Sequence, residues 1–130
     1  MYRPATNNTP EVDFTLRDGR TMRLDGVSRV NDDRFYQDII RGTDAEPGLE
    51  CILKNWIGDR LTLHVRLTRI STPSQRGIFA LFNVVKDAGN CDVHWHWIDD
   101  DLESQRVGQM LDNYYNVPDE KSFFSIDYQE

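Results

Sequence analysis

From Leu61 to Arg76 the chain reads LTLHVRLTRISTPSQR, in which an alternating apolar pattern gives way to the start of a helix. Every second residue between Leu61 and Leu67 is apolar, which is the period of a strand with one buried face. A run at helical spacing follows directly and consists of Ile78, Leu81, Phe82 and Val85. Because a strand that leads into a helix is half of a crossover connection, this stretch predicts an α/β fold with a parallel or mixed sheet.

The segments on either side continue the succession of strands and helices. Apolar residues alternate in predicted strands at 12–16, 22–24, 61–67, 91–98 and 124–128, and recur at helical spacing at 35–40, 49–56, 78–85 and 107–114. Asp18-Gly19 indicates a hairpin, and Pro118 marks the end of the last helix. The order β-β-α-α-β-α-β-α-β predicts one domain over residues 9–130, with a mixed sheet of about five strands and covering helices. Residues 1–8 are predicted to be a flexible N-terminus.

The composition limits the class of function. Of 130 residues, 38% are hydrophobic and 11% aromatic, which suits one packed core rather than a disordered chain. The net charge of −7 argues against nucleic acid as a partner, because neutralising phosphates requires a basic face. A basic protein surface fits this charge better. The sequence contains neither an apolar run near the roughly 20 residues of a membrane helix nor a signal-peptide pattern, so we expect a cytoplasmic protein that does not bind membranes.

The junction between the long strand and its helix has an ordinary structural interpretation. Thr72, Pro73 and Gln75 match a capping box. In it Thr72 is the N-cap, Pro73 takes the first helical position, and the Gln75 side chain reaches back from the third. The hydroxyl of Thr72 then serves only to stabilise the helix.

The same geometry suits a regulated phosphorylation site. A phosphate at a helix N-terminus carries nearly two negative charges and meets the positive end of the helix dipole. Arg76, one helical turn further on, is placed to pair with it. Thr72 is the first candidate for phosphorylation, and Ser71 and Ser74 are weaker candidates. The predicted partner-binding surface consists of Ser71, Thr72, Pro73, Ser74, Arg76 and Gly77.

Five short motifs follow one another in the order of a known family. They are TPEVDF at Thr9–Phe14, FYQ at Phe35–Gln37, STPS at Ser71–Ser74, VHWHW at Val93–Trp97 and the strand at Phe124–Tyr128. Through these motifs the chain resembles the SiaC family of bacterial biofilm-regulating phosphoproteins over residues 9–128.

The resemblance implies a fold similar to the STAS-like domains of anti-sigma-factor antagonists. It implies that Thr72 is phosphorylated by a dedicated kinase and dephosphorylated by a PP2C-type phosphatase. The unmodified protein is implied to bind and activate a diguanylate cyclase, as a non-enzymatic member of a partner-switch system without a cofactor. The sequence departs from the family pattern at three places: Ser71 replaces an asparagine, Pro73 replaces a serine, and the segment from Gly42 to Gly48 resembles an insertion.

Two hypotheses of other classes remain open. One is a STAS-like sensor of a small molecule or nucleotide, which requires a concave apolar pocket. The other is a metal-dependent enzyme built on His64, His94 and His96, because two histidines two residues apart on a strand can share a metal. Asp99–Asp101 with Glu103 suits either magnesium or the positive end of a helix dipole. The sequence contains no recognisable nucleophile–base set, so we expect no catalytic residues and no bound metal.

Overall fold

The computed structural model describes residues 1–116 and 122–128, in which a mixed six-stranded sheet is combined with four helices. In chain order the elements are β1 (Tyr2–Arg3), β2 (Glu11–Asp13), β3 (Thr21–Val27), α1 (Arg34–Arg41), α2 (Leu49–Asn55), β4 (Leu61–Thr68), α3 (Thr72–Ala88), β5 (Cys91–His96), α4 (Leu102–Tyr115) and β6 (Phe124–Asp127). The mixed α/β fold predicted from the sequence is confirmed, with one strand more than expected. Pro118 lies outside the described residues.

The strands lie side by side in their chain order, and this order decides where the helices lie. β1, β2 and β3 are antiparallel, whereas β3, β4, β5 and β6 are parallel. Each parallel pair is joined by a helical connection, and such crossovers are right-handed. Since every crossover steps in the same direction across the sheet, all the helices fall on one face. Among the described residues, the other face of the sheet (the open face) is polar and partly or fully exposed along β4 and β5.

β4 shows the two faces most clearly. Its apolar side chains at Leu61, Leu63, Val65 and Leu67 are fully buried beneath the helices. The alternate residues Thr62, His64, Arg66 and Thr68 point to the open face and are partly or fully exposed. The same alternation continues on β5, where Trp95 packs edge-on against Phe82 of α3 with ring centroids 6.2 Å apart. One hydrophobic core therefore lies between the sheet and the helix layer.

The N-terminal segment differs from the expectation of a flexible tail. Tyr2–Arg3 pairs with β2 as an edge strand, and the Phe14 amide donates to the Met1 carbonyl at 2.8 Å. A strand of two residues is too short to show any periodicity, so the sequence pattern does not reveal it. β2 also ends at Asp13, short of Leu16, whose positive φ of 55° turns the chain toward β3.

The last helix presents a slightly different face from the one predicted. Val107, Leu111 and Tyr115 point into the core, whereas Met110 and Tyr114 are 38% and 60% exposed. Within the described part of the chain, each helix is too short or too polar to cross a membrane.

α1 and α3 pack closely because Gly77 has no side chain. A Cβ atom placed on Gly77 would lie 2.3 Å from Cδ2 of the Tyr36 ring, which is fully buried. From the sequence, Gly77 is predicted to belong to the partner-binding surface. The structure shows that it serves the packing of α3 against α1.

We expect Gly77→Ala to destabilise the fold by about 1–3 kcal/mol, because the added methyl group overpacks the Tyr36 contact. Helix propensity alone would act in the opposite direction and stabilise α3 by about 1 kcal/mol. Urea unfolding of the two proteins measures the difference. A more stable alanine variant would show that α1 and α3 are not in close contact here.

Candidate functional site

The turn from β4 into α3 places the predicted junction at the carboxyl edge of the parallel strands. Arg69, Ile70 and Ser71 form the connection, and Ile70 is buried in it. Ser71 has an extended backbone, and its Oγ accepts a hydrogen bond from the Ser74 amide at 3.3 Å. Ser71 is therefore the N-cap of α3.

This arrangement corrects the predicted capping box by one residue. Thr72 is not the N-cap but the first residue of α3, and Pro73 is the second. The Gln75 amide bonds to the Ser71 carbonyl, as in an ordinary first helical turn. Thr72 thus has no capping role.

A buried network of four hydroxyl groups fixes the start of α3. Ser28 Oγ lies 2.5 Å from the Tyr36 hydroxyl and 2.9 Å from Ser74 Oγ. Ser74 Oγ donates to the Ser28 carbonyl at 2.8 Å, and Ser71 Oγ donates to the Val30 carbonyl at 2.7 Å. These bonds join the chain after β3, the helix α1 and the first turn of α3.

The available protons give this network one orientation. Ser74 Oγ donates its proton to the Ser28 carbonyl, and Ser71 Oγ donates its proton to the Val30 carbonyl. Because neither proton remains available, Ser28 donates to Ser74, and the Tyr36 hydroxyl donates to Ser28. Burial raises the pKa of Tyr36 well above its usual value of 10.0, which keeps this hydroxyl protonated as a donor. Every buried hydroxyl proton in the network is then used once.

Of the three hydroxyl groups between residues 71 and 74, only that of Thr72 is free. Ser74 is fully buried, and Ser71 is half-buried with its proton engaged. Thr72 is exposed, and its hydroxyl has no hydrogen-bond partner among the residues the structure describes. The structure thus places Thr72 alone of the three phosphorylation candidates where an enzyme can reach it.

The first turn of α3 has little capacity to hold a phosphate. The Ser71 amide bonds to the Ser28 carbonyl, the Ser74 amide is capped, and Pro73 has no amide hydrogen. Thr72 keeps its own amide as a donor, and exposed Arg76 follows one turn later, without an ion pair within the described segments. A phosphate on Thr72 would therefore project from the surface rather than be enclosed by it.

The other predicted surface residues divide into two groups. Pro73 and Arg76 remain accessible, together with half-buried Ser71. Ser74 and Gly77, which were predicted to contact a partner, are buried against Ser28 and Tyr36, so neither is placed to do so.

The outer side of α3 and α4 extends the exposed region beyond the junction. On α4, Leu102, Met110 and Tyr114 are exposed at intervals of four or eight residues and form one stripe. Phe79 of α3 meets Tyr114 edge-on, with ring centroids 5.3 Å apart. The helical spacing at 107–114 predicts that Met110 and Tyr114 share a buried face with Val107 and Leu111, so the sequence does not reveal this stripe.

The three histidines of the metal hypothesis do meet, on the open face of the sheet. His64 Nδ1 lies 3.0 Å from His96 Nε2, and the His94 ring lies 5.4 Å from that of His64. In the described residues, however, three or more His, Cys, Asp or Glu side chains nowhere form a group that could hold a metal ion. The geometry indicates a pair of hydrogen-bonded imidazoles, of which one donates and the other accepts.

The acidic run after β5 is divided between two roles. Asp101 Oδ1 accepts from the Ser104 amide at 2.8 Å and caps α4. Asp99 and Asp100 line a surface cleft of about 600 Å³, five of whose seven lining residues are ionisable. Trp97 and Ile98 are the apolar residues of this lining, whereas small-molecule pockets are lined predominantly by hydrophobic and aromatic side chains.

The family model for the SiaC family regulatory phosphoprotein matches residues 3–120. The chain belongs to the SiaC family. No curated protein sequence matches it significantly.

Two solved SiaC structures from Pseudomonas aeruginosa share the fold. Apo-SiaC superimposes with a TM-score of 0.72 at 19% identity, covering 98% of both chains. The second is the structure of the diguanylate cyclase SiaD in complex with its activator SiaC. It matches with a TM-score of 0.71 at 20% identity, covering 97% of both chains. At this level of identity the likeness shows that the SiaC fold is conserved along almost the whole chain.

Substitutions should separate the cap from the free hydroxyl. We expect Ser71→Ala to cost about 1–2 kcal/mol of stability, because it removes the N-cap and the bond to Val30. Thr72→Ala should change stability by less than about 0.5 kcal/mol, since its hydroxyl bonds to nothing in the described structure. Urea unfolding measures both, and a larger loss for Thr72→Ala would restore the capping box predicted from the sequence.

The histidine pair should make the fold sensitive to mild acid. Burial, with smaller contributions from His96 and His94, lowers the pKa of His64 below its usual 6.5, although Asp127 and Asp18 oppose the shift. The unfolded chain therefore takes up this proton first, and the contribution of His64 to stability is lost as the pH falls below about 6.5. Between about pH 7.5 and 5.5 the wild type should lose more stability than His64→Gln. Equal losses in urea unfolding would contradict this.

Proposed function

We propose that the protein is a non-enzymatic switch that is reversibly phosphorylated on Thr72. In its unmodified form it binds and activates a diguanylate cyclase in the bacterial cytoplasm, and so promotes cyclic-di-GMP signalling in biofilm formation. A dedicated kinase adds the phosphate, and a PP2C-type phosphatase removes it. Membership of the SiaC family and the SiaC–SiaD complex of P. aeruginosa support this assignment.

The freedom of Thr72 is the observation that carries the proposal. Its hydroxyl is exposed on a rigid helix start, while the neighbouring Ser71 and Ser74 hydroxyls are committed to the buried network. A kinase can therefore modify Thr72 without breaking any hydrogen bond described in the fold. Phosphorylation then changes the surface and leaves the core intact.

Electrostatics supplies the switching energy. The phosphate adds nearly two negative charges to a chain of net charge −7, at a point where the helix offers one amide and Arg76 as partners. A partner that packs against Thr72 must remove water from this charge. Like charges or apolar groups placed against it cost several kcal/mol, enough to release a partner of ordinary affinity.

The partner surface that we propose runs from Thr72 along the outer side of α3 and α4. It combines Arg76 with the stripe formed by Leu102, Met110 and Tyr114. Aromatic, methionine and arginine side chains are enriched at protein interfaces. Gln75 in the first turn of α3 and Met110 of the stripe line the same surface groove, so a single partner can contact the start of α3 and the stripe together.

The contacts of the described residues give less support to the two alternative functions. The cleft beside Asp99 is lined mainly by ionisable side chains, unlike the pocket of a small-molecule sensor. The histidines bond to each other on the open face, whereas the junction serines are engaged under the helices. We therefore assign the protein no chemistry of its own.

Binding to the cognate diguanylate cyclase should depend on the charge at position 72. We expect Thr72→Asp, and more strongly the phosphorylated protein, to bind at least about tenfold more weakly than wild type, because the partner must desolvate the added charge. Thr72→Val keeps the shape of the side chain without its hydroxyl and should bind like wild type while resisting the kinase. Isothermal titration calorimetry measures the affinity, and intact-mass spectrometry measures the phosphate.

A pair of apolar substitutions tests the extent of the surface. Tyr114→Ala should weaken binding, whereas Ile57→Ala, which removes a side chain that is 94% exposed on the loop after α2, should leave it unchanged.

Wild-type affinity in both Thr72→Asp and the phosphorylated protein would show that Thr72 does not control the interaction.

A further inference from the structure

We infer that Asp101 positions the Thr72 junction against α4, so that α3 and α4 present one continuous partner surface. The inference rests on the proposed function and names a residue on which that surface depends. It arises from a single carboxylate that contacts two separate elements.

The turn before Thr72 is held in an unfavourable conformation. Arg69 has a φ of 50°, in the left-handed region that residues with a side chain rarely adopt. Such a conformation persists only where the surroundings fix it. Here the Arg69 amide donates to Asp101 Oδ2 at 3.0 Å. This bond holds the chain three residues before Thr72.

The same carboxylate begins α4. While Oδ2 accepts from Arg69, Oδ1 of Asp101 accepts from the Ser104 amide at 2.8 Å. Asp101 thereby connects the β4–α3 turn to the first turn of α4. A carboxylate suits this position because each of its oxygens accepts one amide hydrogen, whereas a serine or an asparagine offers a single oxygen.

The loop that carries Asp101 is itself held in place. Gln105 Nε2 donates to the carbonyls of Ile98 at 2.8 Å and Asp99 at 2.9 Å. These two bonds fix the chain between β5 and α4. The Asp101 carboxylate is therefore a rigid support for the turn at Arg69.

The bond from Arg69 to Asp101 connects α3 and α4 at their starts, where Thr72 is the first residue of α3. The far part of the pair is joined by the Tyr115 hydroxyl, which donates to Asn83 Oδ1 at 2.8 Å, and by the contact of Phe79 with Tyr114. Near Thr72, α4 is tied to the α3 junction through Asp101. Losing this bond should free the junction to move relative to Leu102 and Met110.

Asp101→Ser tests the position while preserving the cap. Serine is a good N-cap, but its side chain is too short to reach Arg69. We expect the variant to keep the fold and to bind the cognate diguanylate cyclase about 5- to 50-fold more weakly. Amide hydrogen exchange in the free protein should accelerate at Arg69 and in the turn leading to Thr72, but not within β4.

Two further variants control for charge and for backbone strain. Asp100→Ser removes the same charge from the neighbouring exposed residue and should bind like wild type. Arg69→Gly makes the left-handed turn favourable without the bond. Introducing it into Asp101→Ser should therefore recover much of the lost affinity. Should Asp101→Ser prove unstable by thermal melting, Asp101→Asn, which keeps the side-chain size with one acceptor fewer, takes its place.

The outcomes separate this inference from the proposed function. If Thr72→Asp binds weakly while Asp101→Ser binds and exchanges like wild type, Asp101 has no positioning role and the switch at Thr72 stands. An equal loss of affinity in Asp100→Ser would also overturn the inference, because charge alone would then explain the effect. A third outcome is that Asp101→Ser shows the faster exchange at Arg69 while neither the Thr72 nor the Asp101 variants affect binding. In that case the bond from Arg69 to Asp101 holds the turn, and the proposed partner surface is wrong.

Discussion

The buried hydroxyl network beneath the first turn of α3 is the constraint on which the rest of the site depends. Ser28, Tyr36 and Ser74 are fully buried, so each polar group must find a partner within the protein. They do so through one another, and the bonds join the end of β3, α1 and α3. Removing one member leaves another unsatisfied, which costs about 1–3 kcal/mol. The start of α3 is therefore fixed by long-range contacts rather than by its local sequence.

Under the proposed function, this constraint separates the residues that stabilise the fold from the residue that is phosphorylated, within four consecutive positions. Ser71 and Ser74 stabilise the fold, and for that reason they are poorly placed for modification. Thr72 points away from the network and contributes little to it. Pro73 removes an amide and the Ser71 hydroxyl occupies another, so the helix start leaves an added phosphate largely uncompensated. Because the fold does not neutralise the phosphate, its charge remains on the surface that a partner would contact. Such a charge can weaken binding, as the proposed switch requires.

The sequence predicts the framework of this site but not its details. The alternation along β4 and the helical spacing of α3 are strong local signals, and both elements are confirmed. Serine and threonine at positions 71 and 72 are both good N-caps, so local preference does not decide between them. The choice depends on the Val30 carbonyl, 41 residues away in sequence, and on Ser28, which no motif identifies. For α4, a difference of one residue between Tyr114 and Tyr115 decides whether an aromatic ring stabilises the core or lies on the surface.

The strand order explains why the junction and the start of α4 lie next to each other. Successive parallel strands from β3 to β6 bring the starts of α1, α3 and α4 to one edge and the helices to one face. Arg69 follows β4 and Asp101 follows β5. Because these strands are parallel neighbours, the two residues lie at the same edge of the sheet and form a hydrogen bond there. The histidine pair lies on the opposite, open face of the sheet. The titration of His64 is therefore expected to affect stability without directly altering the surface around Thr72, since the two faces are separated by the sheet itself.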